Sequence, residues 1–280
     1  MSQPTVSVVI PTLDEQDSIR RCLDRLLPQA DTDTDIVIVD NGSTDDTVAI
    51  VESYAANDSR VRLIHESARG VAQARTAGFE AATGELLARI DADTLVPPGW
   101  LRGYRAFFTA DHDHAWACAI GRGTPYGVPL SRFRPDAPVS WGTVKPCRVT
   151  FGANMMLRRS AWDQVKADLL TRQGIYEDVD LGLCLRAAGL QTALLTGMTV
   201  GVSPRRWFDN PIDSWRYLSG CPRTFYAHGQ PVLASAIYAA LVPVNAIHTL
   251  RWIVLSAYDE KAQRFSYRQL RTRRVPRVLP

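Results

Sequence analysis

Between Thr5 and about Val96 short apolar runs alternate with segments of helical periodicity, and acidic or polar turns recur at the same end of the runs. Such a pattern requires a sheet of parallel strands with crossover helices, because parallel strands cannot be joined by tight hairpins. Val6 to Ile10 reads as a first strand, and Asp17 to Leu27 as its helix, with Ile19, Leu23, Leu26 and Leu27 at helical spacing. Asp35 to Asp40 reads as a second strand buried on both faces. The turn Asn41 to Thr44 follows, where Ser43 or Thr44 can cap a helix starting near Asp45. Val61 to His65 and Leu86 to Ile90 supply a third and a fourth strand. Helices are expected over Val71 to Ala82, stopped by Gly84, and from Pro97 to about Phe108.

Beyond residue 110 the pattern loosens. Ala115 to Ile120, Val149 to Leu157, Leu190 to Leu195 and Thr199 to Val202 read as strands, and Ser160 to Leu170 and Glu177 to Ala188 as helices. Gly121 to Pro146 is rich in Gly, Pro and aromatics and reads as a long loop. Asp213 to Tyr226 and Val232 to Tyr258 are helical candidates.

Charge bears on the partners. The net charge of +3 is uneven: residues 259–280 carry a net +5 from Lys261, Arg264, Arg268, Arg271, Arg273, Arg274 and Arg277 against Asp259 and Glu260. The rest is therefore weakly acidic, which argues against a nucleic-acid partner and leaves only the tail to meet phosphates or acidic lipids. Five cysteines without C-x-x-C spacing point to reduced thiols in the cytoplasm and away from a zinc site. The amino terminus has neither the basic flank nor the apolar core of a secretory signal. Gly229 to Leu250 is uncharged and long enough to suggest a membrane span, although Pro243, Asn245 and His248 interrupt it. Two readings stay open: a helix packed on the protein, or one lying on the inner face of a membrane as a peripheral contact.

The chemistry gathers at the strand ends. Pro11, Thr12 and Glu15 follow the first strand, Asp40 ends the second, and Asp91 and Asp93 follow the fourth. In an open parallel sheet the carboxyl ends of the strands form the ligand crevice, so these positions should converge in space. Asp91-Ala-Asp93 offers two hard oxygen ligands, too few to cage a metal alone and suited to Mg²⁺ or Mn²⁺ completed by water and substrate phosphates. Asp40 can accept hydrogen bonds from a ribose or base, and no Gly-rich phosphate loop is present. Glu177-Asp178 opens a helix, where an acid is either an N-terminal cap or a general base.

In this order the segments Ser7-Val-Val-Ile-Pro-Thr-Leu-Asp-Glu15, Val39-Asp-Asn-Gly-Ser-Thr-Asp-Asp-Thr47, Gly70-Val-Ala-Gln-Ala-Arg75, Ile90-Asp-Ala-Asp-Thr94 and Tyr176-Glu-Asp-Val-Asp-Leu181, then Arg186-Ala-Ala-Gly189, resemble the family 2 glycosyltransferases of the GT-A fold. The resemblance spans about residues 5 to 200. It implies an α/β GT-A domain with a Rossmann-like, mainly parallel sheet over residues 1–205, its acceptor part from about 115; periodicity and charge add a helical extension with a basic tail over 206–280. It implies a nucleotide-sugar donor (UDP- or GDP-sugar), a saccharide or lipid-linked acceptor, and inverting transfer assisted by Mn²⁺ or Mg²⁺. Carried onto matching positions, Pro11, Glu15, Asp40 and Arg75 line the nucleoside pocket, with Arg69 a further candidate. Asp91 approaches ribose and metal, and Asp93 ligates the metal. Asp178 is the base beside Glu177, and Gly152, Ala153 and Asn154 lie near acceptor and sugar. Thr76 stands where family members often have Asn. Val202 to Trp207 lacks the metal-binding His of some members; its Arg205 and Arg206 either clamp diphosphate or are solvated beside a packed Trp207. The rival reading is a non-catalytic nucleotide-sugar sensor or scaffold.

Overall fold

β-Branched runs become the buried strands of one sheet. In β1 (Val6–Thr12), β2 (Thr34–Asp40), β3 (Val61–His65) and β4 (Leu86–Arg89) every apolar residue except Pro11, Leu63 and Ile64 is buried, as strands covered on both faces demand. Alternation divides them: Val6, Val8, Ile10, Ile36 and Ile38 point to one core, and Val9, Val37 and Val39 to the other. The first core is filled from α1 (Ile19–Leu26), α2 (Thr47–Ala55) and α4 (Trp100–Ala110). The second is filled from α3 (Val71–Ala81), α5 (Arg159–Val165) and α6 (Glu177–Ala187).

This computed structural model describes residues 3–127, 131–259 and 264–265. With β5 (Cys118–Pro125), β6 (Val144–Cys147), β7 (Met155–Arg158) and β8 (Thr192–Val202), the sheet has the order β3-β2-β1-β4-β7-β5-β8-β6. β1 runs parallel to β2 and β4, β2 to β3, and β5 to β8. β7 is antiparallel to both its neighbours, and β6 is antiparallel to β8.

Several expectations shift, each for a local reason. α4 starts at Trp100 rather than Pro97 because Gly99 takes a left-handed φ of 83°. Neither Ser43 nor Thr44 caps α2. Ser43 Oγ accepts from Asp14 N (3.0 Å), Thr44 N donates to Asp14 Oδ1 (2.7 Å), and Asp45 Oδ1 takes Thr47 N (3.0 Å). Gly84 follows α3 under a packing constraint, since a Cβ there would lie 2.5 Å from Ser7 N. The expected loop from Gly121 gives five residues to β5 and hides β6, an edge strand whose exposed Lys145 and Pro146 carry no apolar signal. The two strands expected over 190–202 are one, and the register shift between Ile120 and Arg122 of β5 absorbs the Thr196-Gly197 interruption. Val149 to Leu157 keeps only its end as β7, and α5 stops at Val165.

Two compact units result: Met1–Thr171 with Glu177–Ser203, and Arg172–Tyr176 with Pro204–Pro280. The second is helical. α7 (Pro211–Leu218) is capped by Asn210 Oδ1, which accepts from Ile212 N and Asp213 N (both 3.0 Å). α8 (Gly220–Ala227) and the long α9 (Pro231–Ala257) follow, and Tyr258–Asp259 pairs with Arg264–Phe265. The rest of the basic tail lies outside the described residues, as does the side chain of Trp207.

Candidate active site

Strand order brings the first two acidic groups to one edge. Thr12, the last residue of β1, pairs with Asp40, the last of β2, and Asp91 follows β4 on the other side of β1. Two strand spacings separate the ends of β2 and β4, about 10 Å. Asp40 is 4% exposed, and its carboxylate accepts from Gly42 N (3.1 Å) and Ser43 N (3.2 Å), with His65 Nδ1 at 3.4 Å. Gly42 permits that turn with φ 86°, and a Cβ on it would lie 3.6 Å from Arg69 Nη2, so Arg69 covers the Asp40 turn. Asn41 fastens the neighbouring loop: Nδ2 donates to Glu66 O and Ala68 O (2.8 Å each), and Oδ1 accepts from Gly70 N (2.7 Å). Pro11 is half-buried in β1, and Glu15 is buried, with its N donating to Thr47 Oγ1 (2.8 Å).

The Asp91-Ala-Asp93 turn sits over Cys22, whose Sγ lies 3.8 Å from Asp91 O. Burial pushes the Cys22 thiol far above its ordinary value, and the negative field of Asp93, Asp91 and Glu15 pushes it further. All three carboxyls therefore bear on the Cys22 thiol with a negative field. Asp93 is 8% exposed, and its carbonyl accepts from Tyr126 Oη (3.0 Å). Asp91 keeps its side chain 41% exposed with Oδ1 on Arg89. Hard carboxylate oxygens in a negative field fit a divalent cation whose remaining ligands come from water and phosphate.

Arg89 joins this edge to the acidic helix. The last residue of β4 and 3% exposed, it donates from Nη2 to Asp91 Oδ1 (3.0 Å) and from Nη1 to Glu177 Oε1 (2.7 Å). Gly152 makes room for it, since a Cβ there would meet Arg89 Nη1 at 2.5 Å. Gly152 N in turn donates to Asp178 Oδ2 (3.1 Å), while Asp178 Oδ1 takes Val179 N (2.8 Å). Burial opposes ionisation of Glu177, but the guanidiniums of Arg89 and Arg75 win and hold its carboxyl below the usual range. Asp178 goes the other way: burial first, then the charge of Glu177, push it up to about 6. Adjacent carboxyls with divergent proton affinities suit an anchor and a base.

Sequence reasoning missed Arg89 as part of the site. The available signal was a lone cation inside the apolar run Leu86 to Ile90. Arg75, expected in the nucleoside pocket, is 1% exposed and so lines no open surface; its Nη1 donates to Glu177 O (2.5 Å) and it belongs with the acidic helix. Burial lowers its guanidinium to about 10. Asn154 is fully buried: Oδ1 accepts from Trp100 Nε1 (2.8 Å) and Tyr104 Oη (2.9 Å), and Nδ2 donates to Arg122 O (3.0 Å) and Met198 O (2.9 Å). Its amide is spent on the core beneath Gly152 and Ala153. Arg206 stacks on Tyr217, with its Cζ 3.7 Å from the ring centroid.

Comparison with known proteins bears on the family and the fold. The sequence model described as glycosyl transferase family 2 matches residues 7–163, and that described as glycosyl transferase family group 2 matches residues 86–264. The uncharacterized glycosyltransferase YibD of Escherichia coli is 42% identical over 93 residues, which are 33% of this chain and 27% of YibD. The chain thus aligns with little more than a quarter of that relative. Among solved structures, the mannosyltransferase PcManGT of Pyrobaculum calidifontis, in complex with GDP-Man and Mn²⁺, superposes with a TM-score of 0.62 at 21% identity, covering 92% of this chain and 76% of that one. S. aureus TarS 1-349 in complex with UDP-GlcNAc gives 0.53 at 20% identity, covering 79% and 66%.

Proposed function

The chain belongs to glycosyl transferase family 2 and has the GT-A fold, and from that premise we propose that it transfers a sugar from a UDP- or GDP-sugar to a hydroxyl of a saccharide or lipid-linked acceptor, with inversion. The observation that carries the reading is Arg89, one buried cation bonded to both Asp91 and Glu177. Donor binding and catalysis are assigned to the first unit. The nucleoside lies at Asp40, under Arg69 and beside Pro11 and Glu15. Asp93 and Asp91 hold Mn²⁺ or Mg²⁺, which when bound neutralises charge developing on the departing diphosphate.

Asp178 takes the proton of the acceptor hydroxyl as its oxygen bonds to the anomeric carbon. The bond from that carbon to the diphosphate oxygen breaks, and its electron pair leaves with the nucleoside diphosphate. A carboxyl pushed up to about 6 is ionised at neutral pH yet more basic than an ordinary aspartate, which a general base requires. Glu177, ionised on Arg89, and Gly152 N fix where that base points; both are positioning groups.

The test is thermal-shift screening of UDP- and GDP-sugars with Mn²⁺, because a ligand of the native state alone raises the melting temperature. A rise with at least one donor in the wild type, lost in Asp93→Ala, is expected. No rise with any nucleotide sugar would overturn the assignment.

A further inference from the structure

The long helix of the second unit leaves an apolar side uncovered. On α9, Ala234, Ile237, Tyr238, Leu241, Asn245 and His248 fall on one stripe, Ala234 buried and the others half-buried. Tyr238 packs on Trp215 (6.3 Å between centroids), and His248 Nε2 lies 2.9 Å from Asp209 O. The opposite face carries Val232, Val244, Ile247 and Leu250 at 84%, 51%, 68% and 66% exposure. The inward stripe mixes apolar and polar groups, while the outward side keeps large aliphatic side chains in water, which a helix on a soluble surface avoids. Pro231–Ile253 is long and apolar enough to cross a membrane, and little of it is fully buried.

We propose that this face of α9 lies in the acyl and headgroup boundary of an anionic lipid bilayer. Charge decides the occupant. The sequence that follows the helix, residues 259–280, carries a net +5, which an anionic lipid surface attracts and a second copy of the same chain repels. Arg251 and Trp252, at the end of the apolar stretch, are residue types favoured at the membrane–water boundary. A span across the bilayer is not required, because α9 keeps one stripe against its own unit and only the other face is free for lipid. Vesicle binding is independent of transfer chemistry, so it can succeed or fail whatever the activity.

The experiment is flotation of the full chain with vesicles of phosphatidylcholine containing phosphatidylglycerol and with vesicles of phosphatidylcholine alone, at low salt. Wild type should float with the anionic vesicles and lose most of that binding in high salt or on zwitterionic ones. Ile247→Glu with Leu250→Glu changes two exposed side chains and should cut partitioning about a hundredfold or more, with the circular dichroism spectrum unchanged. Failure of the wild type to float overturns the proposal without any variant. So does a wild-type dimer in buffer that the double variant converts to monomer while neither protein floats, which would assign the face to a second copy.

Discussion

The two edges of the sheet both bury charge, and they use it differently. At the amino edge each cation closes on an acid of its own. Arg62 grips Asp35 (2.9 and 2.8 Å), and Arg105 grips Asp31, with Nη2 also on Thr34 Oγ1 (3.1 Å). Ser7 Oγ there takes Thr83 N and Gly84 N (3.0 and 2.8 Å). At the carboxyl edge the negative field of Asp93, Asp91 and Glu15 bears on the Cys22 thiol, and one guanidinium, Arg89, is shared between Asp91 and Glu177. Paired charge holds loops; an excess of one sign readies a surface for ligands of the other.

The contrast can be broken at its strongest point first. Asp178→Asn should lower kcat about 10²–10⁴-fold, the range for loss of a general base, with nucleotide affinity kept. In the wild type kcat should rise as pH passes about 6 and level off above it, because the base works only ionised and its carboxyl is pushed up to about 6. A flat pH profile through that range would remove Asp178 from the base role.

Gly152→Ala comes next. Its Cβ has to displace Arg89 Nη1, 2.5 Å away, and so loosens Asp178 and Glu177 together. A fall in kcat of about ten- to a hundredfold is expected from misplacing a catalytic group, far beyond any change in melting temperature. Arg105→Met probes the opposite edge: about 1–2 kcal/mol less stable in urea unfolding, with kcat/KM unchanged. The hydrogen bond from Arg105 holds the Asp31 carboxyl well below its ordinary range, so the pair contributes fully above pH about 4, the unfolded value. The stability gap to Arg105→Met should therefore narrow as pH falls below 4. His65→Ala is the mildest. The exposed imidazole stands 3.4 Å from Asp40, and the nucleotide affinity should change by no more than about threefold.

The first hundred residues were legible because local and global signals agree there. Ile36 to Val39 could only be a strand covered on both faces, and the acids behind β1, β2 and β4 could only fall on one edge. Legibility ends where tertiary context decides. β6 has no apolar pattern because it is an edge strand, and the antiparallel β7 follows from a turn at Thr150 to Asn154 that no periodicity marks. At the site, residue types announced the carboxylates, whereas the roles of Arg89, Arg75 and Asn154 depend on partners 54 to 102 positions away.

The most direct measurement is nucleoside diphosphate release from UDP- and GDP-sugars with Mn²⁺, in the wild type, Asp93→Ala and Asp178→Asn. The account predicts release from at least one donor by the wild type and a fall of about a hundredfold or more in either variant, with donor binding lost in the first and retained in the second. Release undiminished in both variants would contradict it.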